Sequence, residues 1–148
     1  QGARIMSLDD PTKKMSKSAT SEWGYIALTD TPEVITKKIK KAMTDSGTAV
    51  VDGKTTPALT NLLTIYSVIS GKTIEEIELL YQGQGYGKFK QDLAEAVVEY
   101  LRPIQVKYDA LISDIPMLQA VLEQGATKAK VVANKTLNDV KEKIGIHR

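Results

Sequence analysis

Lys13, Lys14 and Lys17 fall within the eight residues Thr12 to Ala19, interleaved with Thr12, Ser16 and Ser18. Three ammonium groups on long stems and three hydroxyls, on a stretch without apolar periodicity, suit one kind of partner. Phosphoryl oxygens gather negative charge when a phosphate bond breaks, and cations that follow that charge stabilise it. A loop of this kind can also close over a bound substrate. The competing reading is a solvated loop, since lysine and serine are ordinary loop residues. Composition alone favours the solvated loop.

The elements on either side must position those lysines. "ARIMSL" (Ala3 to Leu8) has β character and predicts a short strand. "DDP" (Asp9 to Pro11) stops it, because Asp and Pro favour turns. "GYIAL" (Gly24 to Leu28) reads as a second extended piece. This lead of about thirty residues is too short to hold a core, and its strand needs partners from elsewhere.

Helices follow. Thr31, Pro32 and Glu33 give the first one an N-cap, an N1 proline and an acidic first turn, and Gly47 lies beyond its end. Ile35, Ile39, Ala42 and Met43 share one face, and Lys37, Lys40 and Lys41 the opposite one. After a loop from Gly47 to Thr56 comes an apolar helix, Pro57 to Ser70, with Leu59, Leu62, Leu63, Tyr66 and Ile69 inward and Gly71 past its end. Thr73 and Glu76 form a capping-box pattern for a short helix to Tyr81. "QGQGYG" (Gln82 to Gly87) is a link. A long helix from Tyr86 to Ser113 carries the stripe Phe89, Leu93, Ala96, Val97, Tyr100, Leu101, Ile104, Tyr108 and Leu111, with Pro103 inside it as an expected kink. A last helix spans residues 117–143, with Gly125 a weak point and Gly145 beyond its end. The fold class expected is mainly α, a helical bundle behind a short strand and a basic loop.

Composition bounds the chemistry further. The 148 residues contain no cysteine, so disulfides and zinc–thiolate sites are excluded. The formal net charge of +2 is too mild to announce a nucleic-acid binder. No apolar run approaches the length of a membrane span, and the N-terminus lacks a signal-peptide layout. The chain opens on Gln1 rather than Met, which reads as a cut inside a longer protein. Other candidates are weaker. A lysine cluster at Lys37, Lys38, Lys40 and Lys41 could track RNA phosphates or be the wet face of a helix. "GQGYG" lacks the strand and spacing of a phosphate loop, so Gly83, Gly85 and Gly87 read as helix punctuation. Trp23 beside Gly24 reads as a packing anchor, and His147, the only histidine, as a solvated terminal side chain. No residue pattern marks a metal site.

The string "KMSKS", Lys14 to Ser18, is the second signature of class I aminoacyl-tRNA synthetases. A given five-residue string arises by chance in a chain this long on the order of once in ten thousand sequences. "GARIMSLDDPTKKMSKS" resembles the tryptophanyl-tRNA synthetase form of this strand and loop. "PEVITKKIKKAMTDSG", "NLLTIYSVISGKTIEEIE", "GYGKFKQDLAEAVVEYLRPIQVKY" and "EQGATKAKVVANKTL" resemble successive segments of the same bacterial family. The resemblance covers essentially the whole chain.

The resemblance implies a two-step reaction. The carboxylate of tryptophan attacks the α-phosphate of ATP, giving tryptophanyl-adenylate and pyrophosphate, and the aminoacyl group then passes to the 3′ end of its tRNA. Carried onto this chain, Lys17 contacts the phosphates of the leaving group and Lys14 assists. Ser16 and Ser18 donate hydrogen bonds, and Met15 and Ile5 border the adenine through their backbones. ATP with Mg²⁺ is then a substrate, and no tightly bound cofactor is implied. Partners are tryptophan and its tRNA, and the complete enzyme is expected to be a cytoplasmic homodimer. The first class I signature, His-x-Gly-His, is not in this sequence. Residues 1–30 are therefore expected to end a Rossmann-type catalytic domain, 31–115 to form the anticodon-binding helical domain, and 116–148 a segment packing back toward the catalytic domain. Such a fragment is expected to be inactive alone. No side chain is assigned to tRNA. One departure is Ala19-Thr20 where the family often has Asp-Pro after the loop, which bears on the hinge and leaves Lys14 to Ser18 intact. A stand-alone helical RNA-binding module without catalysis is the alternative, and a dimerisation piece a third reading.

Overall fold

The computed structural model describes residues 4–44, 50 and 56–146. The loop expected from Gly47 to Thr56 lies outside the described residues except for Val50 and Thr56, as do Ala3 and His147. Five helices are present among the described residues: α1 Pro32–Lys41, α2 Pro57–Ser70, α3 Ile74–Leu80, α4 Tyr86–Ser113 and α5 Ile115–Lys143. Ahead of α1, Glu22–Gly24 forms a single 3-10 turn.

The helix ends are set by the residues their chemistry predicts. Thr31 caps α1 by accepting from Val34 N–H, with Pro32 at its start. At α3, Glu76 N–H donates to Thr73 Oγ1 at 3.2 Å while Thr73 N–H donates to Glu76 Oε2 at 2.8 Å, a reciprocal capping box. Gly71 closes α2 at φ 71°, a left-handed conformation that costs a Cβ-bearing residue energy. At the other end of α1 the Lys90 ammonium donates to Ala42 C=O at 2.7 Å. A cation there satisfies a terminal carbonyl and meets the negative end of the helix dipole. Burial pushes the Lys90 pKa down.

The packing divides the chain into a unit ending at Gln105 and a unit beginning at Val106, so the division falls within α4. The first unit holds the core. Ile35 and Ile39 of α1, Leu59, Leu62 and Leu63 of α2, Ile77 of α3, and Phe89, Leu93, Val97 and Leu101 of α4 are all buried. Burying each side chain of this size stabilises by about 1.5–3 kcal/mol. Tyr81 is buried beside them, its ring edge-on to Phe89 with centroids 5.2 Å apart. Its hydroxyl donates to Asp92 Oδ2 at 2.9 Å and lies 3.1 Å from the Tyr66 hydroxyl. The second unit comprises the end of α4 and all of α5. No residue of α5 is buried within it.

Three expectations change. The strand over Ala3 to Leu8 reduces to one isolated antiparallel bridge, Met6 to Lys14. Among the described residues the turn-back of the loop is what pairs with it, and a ladder needs further strands. The apolar face of α1 stops at Ala42, because the helix ends at Lys41 and leaves Met43 outside and 47% exposed. The stripe of α4 is core only in its first half. Tyr100 and Ile104, before the division, and Tyr108 and Leu111, after it, are each more than 40% exposed.

Candidate functional site

The basic loop is built as a tight hairpin. Ser7 N–H donates to Lys13 C=O at 2.8 Å and Met15 N–H to Ile5 C=O at 3.0 Å. These two bonds flank the Met6–Lys14 pair, so Lys14 lies directly opposite Met6. The turn between them is fixed by Asp10. Its Oδ1 accepts from Thr12 N–H at 3.1 Å and Thr12 Oγ1 at 2.6 Å, and its Oδ2 pairs with Lys13 Nζ at 2.8 Å. Lys13, then Thr12, hold the Asp10 carboxyl well down, to about 2. Lys13 is thereby a structural lysine of the turn.

The hairpin is moored on three sides. Leu8 is buried in the core, its N–H bonded to Gly24 C=O at 3.0 Å and its C=O accepting from Met43 N–H at 2.7 Å. Ser7 Oγ donates to Gly24 C=O at 3.0 Å and to Asp9 Oδ1 at 2.7 Å. Hydrogen bonds from Ser21 and Ser7 hold Asp9 below the usual carboxylate range. Gly24 is buried so close to this pair that a Cβ there would stand 2.7 Å from Asp9 Oδ1. On the third side Asn61 of α2, itself buried, bonds both main-chain groups of Met6.

The loop lysines project from that frame. Lys14 and Lys17 are exposed and make no ion pair among the described residues. Ser16 and Ser18 are exposed as well. Ser16 Oγ accepts from Ser18 N–H at 3.2 Å and Ser16 C=O from Ala19 N–H at 3.1 Å, so Ser16 to Ala19 closes as a turn with Ala19-Thr20 in place. Met15 is half-buried and packs against the core, while Ile5 is half-buried. Their facing groups, Ile5 C=O and Met15 N–H, bond each other. Chemically, the arrangement offers two exposed cations, Lys14 on the bridge of the hairpin and Lys17 within the Ser16–Ala19 turn. What it can supply is charge and position.

The lysine face of α1 is not uniform. Lys37, Lys40 and Lys41 are exposed, but Lys38 is buried. Its ammonium bonds Asp30 Oδ2 at 2.6 Å and lies 4.8 Å from the centre of the Tyr25 ring. Lys38 is therefore removed from any phosphate-tracking surface. Lys41 Nζ sits 3.8 Å over the Trp23 ring, which makes Trp23 a packing anchor between the loop's exit and α1. Sequence reasoning passed over Asn61, Gly24, Asp9 and Asp30. A polar residue inside the apolar run "ALTNLLTIY" was the available signal for Asn61. No local signal marks the other three.

Comparison with known proteins gives the arrangement its relatives. The chain is 52% identical to the tryptophan–tRNA ligase of Enterococcus faecalis, aligned over all of the chain and 44% of that protein. It is 53% identical to the ligase of Bacillus anthracis over 99% of the chain and 45% of the relative. The chain thus spans under half the length of these relatives. Among solved structures, tryptophanyl-tRNA synthetase from Campylobacter jejuni, in a crystal with ADP and tryptophan, superposes with a TM-score of 0.77 at 32% identity, over 97% of this chain and 44% of that one. The Mycoplasma pneumoniae synthetase superposes with a TM-score of 0.73 at 34% identity, over 97% of this chain and 44% of that one. A family model described as "tRNA synthetases class I (W and Y)" matches residues 2–102, which include the whole hairpin. The chain belongs to the class I tRNA synthetases of the tryptophan and tyrosine family.

Proposed function

We propose that this chain is the part of a tryptophan–tRNA ligase that presents the KMSKS loop to ATP. The observation that carries the reading is the pair Lys14 and Lys17, exposed and, among the described residues, without ion-pair partners, on a stem moored to the core. Lys17 meets the β- and γ-phosphates as charge grows on departing pyrophosphate, and Lys14 supports it from the stem. Ser16 and Ser18 add hydroxyl donors, and Met15 and Ile5 border the adenine. Binding cations to the charge that appears in the transition state raises the rate more than it raises ground-state affinity. Magnesium enters with ATP as part of the substrate.

In this reading residues 1–30 end the catalytic domain, 31–115 form the helical anticodon-binding domain and 116–148 pack back toward the catalytic domain. The enzyme is a cytoplasmic homodimer that takes tryptophan, ATP and the tRNA for tryptophan. These assignments rest on the family resemblance, and the 148 residues alone carry out no adenylation. The test is tryptophan-dependent ATP–pyrophosphate exchange in a full-length ligase that has this chain as its matching segment. Lys17→Ala lowers the rate by about 10²–10³ and leaves the KM for tryptophan within about threefold. A rate within about threefold of the parent, under 1 kcal/mol, overturns the assignment.

A further inference from the structure

Met6 stands opposite Lys14, and in an antiparallel pair flanked by its bonds the N–H and C=O of such a residue point away from the partner. In a sheet those two groups would bond the next strand. Here Asn61 takes that strand's place. Met6 N–H donates to Asn61 Oδ1 at 2.8 Å and Asn61 Nδ2 donates to Met6 C=O at 2.8 Å, across 55 residues of chain. Asn61 is 6% exposed, and it is flanked on α2 by the buried Leu59, Leu62 and Leu63. Only a primary amide can do this. It offers one acceptor and one donor at the spacing of a peptide group, whereas a carboxylate cannot donate and a glutamine is a methylene too long.

We propose that Asn61 is a positioning residue for adenylation, which registers the KMSKS hairpin on α2 and so fixes where Lys14 and Lys17 meet the phosphates. The inference rests on the ATP-loop reading above. It adds that α2, through one amide, sets the register of the strand that carries the loop, beside the moorings at Leu8 and Ser7. Removing the amide leaves the helices packed and lets the hairpin slide or splay. A misplacement of about 1 Å at a reacting group costs on the order of 10²-fold in rate.

The test uses the same full-length ligase, measured by pyrophosphate exchange and by amide hydrogen exchange. Asn61→Ala lowers kcat by about 10- to 100-fold with the KM for tryptophan within about threefold. Amide exchange quickens at Met6, Ser7 and Met15 and stays slow at Leu93. Asn61→Asp keeps the acceptor for Met6 N–H and loses the donor for Met6 C=O. It is read the same way should Asn61→Ala fail to fold. A kcat within threefold of the parent, or exchange that quickens equally at Leu93, overturns the positioning role. Lys17→Ala is run alongside. If it slows the reaction and Asn61→Ala does not, the inference on Asn61 fails alone. If Lys17→Ala is also without effect, the ATP-loop reading fails and takes this inference with it.

Discussion

Replacing Asp30 with asparagine isolates a charge that the sequence pattern places in water. The Lys38 side chain is 6% exposed and its partner Asp30 is 15% exposed, with Nζ and Oδ2 2.6 Å apart. Asp30 Oδ2 also accepts from Ala27 N–H at 2.9 Å. Asp30→Asn keeps the shape of the site and an acceptor oxygen for the ammonium, and removes the negative charge that balances it, leaving the Tyr25 ring as its other electrostatic partner. Leaving one ion of a buried pair unmatched costs about 3–5 kcal/mol. A cation–π contact returns about 0.5–2 kcal/mol at most, and Lys38 makes that contact already. The expected loss is therefore about 3 kcal/mol or more, a factor above a hundred in the folding equilibrium. Lys38→Met removes the charge instead and keeps the aliphatic stem. Asp30 then retains Ala27 N–H and some water, so the cost is that of one charged hydrogen bond, about 1.5–3 kcal/mol and nearer the lower figure. Urea unfolding of the single variants and of the double variant measures both costs and their coupling. The reasoning fails if Asp30→Asn costs under about 1 kcal/mol, or if Lys38→Met proves the more damaging of the two.

Two further outcomes follow from the hairpin. Gly24→Ala places a Cβ 2.7 Å from Asp9 Oδ1 in a buried site, so the Ser7–Asp9–Gly24 junction must open. The expected loss is about 1–3 kcal/mol, with faster tryptic cleavage at Lys13, Lys14 and Lys17, and unchanged cleavage would refute the close approach. Lowering the pH titrates the turn: Asp10 is depressed from 3.8 to about 2 by Lys13 and Thr12. A carboxyl with a depressed folded pKa adds stability that is complete above its unfolded value and is lost as pH falls through the folded one. The turn should therefore hold above pH 4 and open towards pH 2. Carboxyl-carbon NMR of Asp10 checks this, and a midpoint near 3.8 would show that the Asp10–Lys13 contact does not persist in solution.

What the sequence alone determined is mostly local. Thr31 before Pro32, the Thr73–Glu76 box and Gly71 predict helix ends that the structure reproduces, because a cap is a bond between residues three or four apart. Periodicity placed Leu59, Leu62, Leu63, Phe89, Leu93 and Val97 in the core for the same reason. The string Lys14 to Ser18 carried a family resemblance, because five contiguous residues can be matched without any knowledge of the fold. Tertiary structure decided the rest. Lys38 lies beside Lys37 and looks no different from it in sequence, yet it is buried because Asp30, eight residues back, is carried over it. Of the strand expected over Ala3 to Leu8, the described part, from Arg4, forms a single bridge, because pairing depends on partners that local pattern cannot supply. The upper half of the α4 stripe is exposed because amphipathicity says which face seeks cover, not whether any neighbour provides it. Asn61 grips Met6 across 55 residues. A contact at that separation leaves no periodic trace, since it exists only once the chain has folded and brought the two together.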